Sequence, residues 1–158
     1  MYPNYVGGKM MIISTNNVTF EEVQSETLVV GIPKHPENTE KWDALLNVYG
    51  NHILDWVKSG DISSDSKKIV KVPIAGQETV KRILFVGLGD RKKLTQENIR
   101  EAFGLVGKEL LSSKPESLAV WVPSFTSESA TEADVAYLAG EGIGMGAFVY
   151  EGYKTTSN

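Results

Sequence analysis

Two hydrophobic periods alternate along the chain. Short continuous or alternating apolar runs read as strands, and stretches with apolar residues three or four apart read as amphipathic helices. Met10 to Ile13 is the first apolar run, and Asn16-Asn17 is a turn signal. Val18-Thr19-Phe20 alternates like a short partner strand. Leu28-Val29-Val30-Gly31-Ile32 is a second strand, ended by Pro33; Gly31 inside it implies a close approach of another backbone. Trp42, Leu45, Leu46, Tyr49, Ile53, Trp56 and Val57 then fall on one helical face. The spacing predicts one long helix, capped at its start by Asn38 or Thr39, kinked at Gly50 and stopped by Gly60.

The second half repeats the theme. Lys68 to Ile74 alternates in part and contains Pro73, which lacks a ladder donor, so it reads as a strand near a sheet edge. Val80 to Val86 is a strand apolar on both faces, as a sheet covered by helices on both sides requires. Gly87-Leu88-Gly89-Asp90 reads as a tight turn into a helix capped by Thr95. That helix buries Ile99, Phe103, Val106 and Leu110. Leu118 to Val122 is a strand closed by Pro123. Ser129 and Glu132 have the spacing of a capping box for a last helix. Its inward face is Val135, Leu138, Ala139, Gly142, Ile143 and Met145. The alternation predicts an α/β, three-layer sandwich with a mixed, mostly parallel sheet and helices on both faces. Residues 1–9 read as a flexible lead-in, 10–152 as one domain, and 153–158 as a polar tail.

Composition narrows the function classes. The chain has 158 residues and no cysteine, which removes disulfides, thiolate zinc sites and cysteine nucleophiles. The formal net charge is -4, with the basic residues scattered, so nucleic acid is not an expected partner. Arg91-Lys92-Lys93 is the densest basic run and reads as a solvated loop. No stretch reaches the ~20 apolar residues of a membrane span. No signal-peptide core is visible, so a cytoplasmic location and no membrane partner are expected.

The candidate chemistry is sparse. Gly87-Leu88-Gly89 stands where a strand meets a helix, a common phosphate position in α/β folds. The fingerprint fails at Lys92, however, and Asp90 would repel a phosphate, so a structural turn is the better reading. Gly142-Ile143-Gly144-Met145-Gly146-Ala147 fits G-x-G-x-x-A, yet a helix precedes it where the motif needs a strand. Those glycines imply close packing instead. His35 and His52 lack partners at metal-ligand spacing. Ser124, Ser127 and Ser129 lie outside any G-x-S-x-G elbow, and Glu21-Glu22 are adjacent. No catalytic, cofactor-binding or metal residue is assigned.

Lys81-Arg82-Ile83-Leu84-Phe85-Val86-Gly87-Leu88-Gly89-Asp90, the Thr95 helix, and Ala139-Gly140-Glu141-Gly142 through Gly146-Ala147-Phe148 to Tyr153-Lys154-Thr155 together resemble the N-terminal domain of the leucyl (cytosol) aminopeptidases. The resemblance runs from about Glu26 to Thr155. It implies a macro-domain-like sheet between helices. It also implies a parent enzyme that releases N-terminal amino acids, leucine preferred, by two-metal hydrolysis with zinc, manganese or magnesium. The implied partners are the parent's own C-terminal catalytic domain and sister subunits of a homohexamer. The family's metal ligands lie in that C-terminal domain, and none has a matching position here. The resemblance therefore implies an isolated N-terminal domain, inactive alone, with no cofactor of its own and with 153–158 beginning a linker. Two other readings stay open: a free-standing module binding ADP-ribose or another nucleotide, and an interaction protein without a ligand.

Overall fold

Five parallel strands form the centre of the fold in a computed structural model, which describes residues 9–13, 20–34, 40–76, 80–113, 115–143, 148–151 and 155–157. The strands are β1 (Lys9–Ile13), β2 (Thr27–Pro33), β3 (Ile69–Pro73), β4 (Arg82–Gly89), β5 (Ser117–Trp121), β6 (Phe148–Glu151) and β7 (Thr155–Ser157). They form one sheet in the order β3-β4-β2-β5-β1-β6-β7. β4, β2, β5, β1 and β6 run parallel, and β3 and β7 add antiparallel edges. The helices are α1 (Glu40–Tyr49), α2 (His52–Ser59), α3 (Gln96–Ser113) and α4 (Glu132–Ile143).

The pleat divides each central strand between two cores. Leu28, Val30, Ile32, Ile83, Phe85, Ala119 and Trp121 meet α1 and α2 on one face. Val29, Leu84, Val86, Leu88, Leu118 and Val120 meet α3 and α4 on the other. This is the α/β sandwich expected, and every residue of β2 is buried, as a doubly covered strand must be. The expected faces of α3 and α4 are buried as well. Gly31 does sit at a close approach: a Cβ there would lie 2.7 Å from Leu88 and 2.9 Å from the Ser124 carbonyl. Gly142 lets α4 press against α3, where a Cβ would lie 2.7 Å from Phe103 and 2.9 Å from the Arg100 carbonyl.

Several local expectations change. The long helix is two helices, because Gly50 takes φ +119° and the chain breaks between α1 and α2 where a kink was expected. Gly60 ends α2 in the left-handed conformation, as expected. Gly87-Leu88-Gly89 is not a turn: β4 continues through Gly89 because both neighbouring segments bond to it. Phe20 lies in a 3-10 turn (Phe20–Glu22) and not in a strand. The cap of α4 is Thr131 with Asp134, whose side chains bond each other's backbone N–H groups at 3.2 and 3.0 Å, and not Ser129 with Glu132. β1 begins at Lys9, inside the expected lead-in. Thr155–Ser157 pair with β6 and so belong to the sheet, not to a linker. Asn38, Thr39, Met145 and the Asn16-Asn17 turn lie outside the described residues.

Candidate functional site

The carboxyl ends of β2, β4 and β5 open on one cleft. α1, the next helix after β2, packs on one sheet face, and α4, the next helix after β5, packs on the other. β2 and β5 are neighbours, so their connections diverge between them, which is where open α/β sheets leave a crevice. The cleft measures about 910 Å³. Pro33 and Lys34 line it after β2, Asp90 to Lys93 after β4, and Thr126 to Glu128 after β5. Trp42 of α1 supplies an apolar wall, held edge-on against Trp121 at a centroid distance of 5.5 Å.

Local bonding positions the lining. The Ser124 hydroxyl donates to the Trp121 carbonyl at 2.7 Å and accepts from the Gly31 N–H at 2.8 Å, locking the end of β5 to β2. Asp90 turns its carboxylate onto the Lys92 N–H at 3.0 Å and so shapes the 3-10 turn Arg91–Lys93. Four cations face two carboxylates across the lining, an excess of positive charge in an acidic chain. Lys34 reaches Asp65 at 3.8 Å, but both side chains are exposed, so that pair binds weakly.

Arg91 differs from the lysines beside it. Lys92 and Lys93 are exposed and Arg91 is half-buried. Its Nη2 donates to the Ser124 carbonyl at a long 3.4 Å, and its buried Nε has no hydrogen-bond acceptor. It makes no ion pair among the described residues. Burial pulls its pKa below the ordinary arginine value, yet a guanidinium remains charged at any neutral pH. The cleft thus contains a partly desolvated, under-bonded cation.

The hydroxyls of the cleft are already engaged. Thr126 donates to the Pro123 carbonyl at 3.0 Å and Ser127 to the Leu94 carbonyl at 2.9 Å. Among the described residues no three His, Asp or Glu side chains converge as a metal site would need.

The glycine run singled out in the sequence is closed. Gly87 N–H donates to the Lys68 carbonyl at 2.7 Å and Gly89 N–H to the Ser64 carbonyl at 2.8 Å. The segment between Ser63 and Lys68 lies directly over β4, so a Cβ on Gly87 would collide with the Asp65 carbonyl oxygen. Neither glycine amide is left for a phosphate. His52 is exposed and packs edge-on against Trp56 at 4.7 Å. Ser129 is exposed and donates its backbone N–H to Ser127. His35, Thr79 and residues 144–147 lie outside the described residues. Arg91 is the residue that sequence reasoning missed, because a basic run usually marks solvent. Its position directly after an apolar strand was the available signal.

The geometry agrees with what the chain is similar to. A model of the cytosol aminopeptidase family, N-terminal domain, matches residues 29–157, and the chain belongs to that family. Among solved structures, the macrodomain of Thermus aquaticus DarG is 12% identical with a TM-score of 0.61, covering 90% of this chain and 97% of its own. The macrodomain of Mycobacterium tuberculosis DarG is 13% identical with a TM-score of 0.57, covering 87% and 91%. The bottromycin maturation enzyme BotP is 17% identical with a TM-score of 0.53, and the chain covers only 25% of that enzyme's length. The fold is macro-domain-like.

Proposed function

Starting from that membership, we propose that the chain is a non-catalytic N-terminal domain of a leucyl aminopeptidase, with an assembly or regulatory role. One observation carries the reading: the family match extends from β2 to β7. The parent activity is then release of N-terminal amino acids from peptides. Two divalent metals (zinc, manganese or magnesium) would be held by a separate C-terminal catalytic domain. The partners are that domain and sister subunits of a cytoplasmic homohexamer, without nucleic acid or membrane. No described helix is long and apolar enough to cross a membrane. Purified 1–158 with manganese is expected to leave leucine-p-nitroanilide intact; measurable cleavage overturns the reading. In the parent enzyme, deleting this domain is expected to lower the assembly mass seen by light scattering, and an unchanged mass removes the assembly role.

A second reading is favoured by the near-complete coverage of two macrodomains and by the cleft at the strand ends. In it the domain binds ADP-ribose or another nucleotide. Calorimetry with ADP-ribose tests it. A Kd tighter than about 100 µM, roughly -5.5 kcal/mol, supports it, and no heat at millimolar ligand removes it.

A further inference from the structure

We propose that the cleft takes a small molecule bearing a diphosphate, and that the Arg91 guanidinium anchors it in place of the glycine amides of β4. The proposal rests on the second reading, that the cleft is a ligand site, and adds the group recognised and the residue that recognises it.

Five observations point the same way. A half-buried guanidinium with an unbonded Nε, one long bond to the Ser124 carbonyl and no carboxylate partner among the described residues loses hydration with little compensation. A planar fork of N–H donors is satisfied best by a bidentate oxyanion. Lys92 and Lys93 line the same cleft beside Arg91 against Asp90 and Glu128, and Lys34, whose ion pair with Asp65 is exposed, adds a fourth cation, so the lining carries the surplus positive charge an anionic ligand requires. The volume of about 910 Å³ is too large for a lone phosphate and is in the range of small-molecule sites. The Trp42 wall is suited to an apolar or aromatic portion of the same molecule. The amides of Gly87 and Gly89, the other candidate anion donors, are engaged by the overlying segment, so recognition falls to side chains.

Titration calorimetry of the 158-residue chain with pyrophosphate, ADP, ADP-ribose and citrate tests the proposal. Pyrophosphate and ADP are expected to bind, citrate to bind far more weakly, and Arg91→Met to weaken the diphosphates at least about tenfold. Arg91→Lys keeps the charge but loses the fork, so it should recover only part of the affinity, and it reports the same effect if Arg91→Met does not fold. Glu128→Gln, which removes a lining negative charge, should tighten binding. Citrate binding as well as pyrophosphate overturns the diphosphate assignment. ADP-ribose binding that survives Arg91→Met and is not displaced by pyrophosphate overturns the anchor while leaving the ligand-site reading intact. Absence of binding by any of the four below about 1 mM removes both.

Discussion

The two ends of the parallel strands treat an arginine in opposite ways. At the amino end, Glu26 joins three strands. Its backbone N–H donates to Ser117 at 2.9 Å, its carbonyl accepts from Lys81 and Arg82, and its carboxylate accepts the Glu116 N–H and the Arg82 guanidinium, each at 3.2 Å. Arg82 is thereby paired. At the carboxyl end, Arg91 has one long bond and a buried Nε without an acceptor. Closed polar networks of the first kind specify the structure. A cation kept desolvated and unpaired lowers stability, so its retention is more easily understood as a binding feature than as a structural one. Within the carboxyl end the same contrast recurs, since Gly87 to Gly89 is sealed and the adjacent Arg91 faces the cleft.

The sealed segment should be the most sensitive part. Gly87→Val drives a branched side chain into the Asp65 carbonyl and is expected to cost about 3 kcal/mol or more, read by chemical denaturation. Amide exchange at Gly89 should accelerate with it; unchanged protection would mean that the overlying segment does not hold β4. Glu26→Ala comes next. It leaves Arg82 and the Glu116 N–H without their acceptor, and a loss of about 1–2 kcal/mol is expected.

A smaller effect separates the two ends by pH. The Glu116 N–H, above all, holds the Glu26 carboxyl below its ordinary pKa; Arg82 and Lys81 act in the same direction, against the opposing effect of burial. A folded pKa depressed below the unfolded value gives stability that is complete above the unfolded value and is lost as pH falls through the folded one. Acid titration of stability should therefore show a loss below the ordinary carboxylate range that Glu26→Gln largely removes. An identical acid profile in the variant would sink the assignment. Smallest of all, Arg91→Met should change stability by less than about 0.5 kcal/mol, or raise it, because no pair is broken. A loss comparable to that of Glu26→Ala would make Arg91 structural and erase the contrast between the ends.

Particular residues show how far the sequence reached. The runs at Leu28 and Ile83 marked doubly covered strands, and the spacing from Ile99 to Leu110 marked the buried stripe of α3. Gly31 and Gly142 announced close approaches, although not the partners that approach. These features follow from burial periodicity and steric limits that act over a few neighbours, which one chain displays directly. The capping box of α4 was displaced by two residues because Ser129 and Thr131 have the same chemistry and only backbone geometry selects between them.

The class of fold and the family resemblance were therefore determined by the sequence itself. The tertiary structure decided the rest. Whether Gly87 and Gly89 offer their amides depends on a segment some twenty residues earlier lying across them. Whether Arg91 is a solvated charge or an anchor depends on how the ends of β2, β4 and β5 enclose it. Both outcomes are set by contacts between distant segments, and the linear pattern of polar and apolar residues does not encode which segment will cover which.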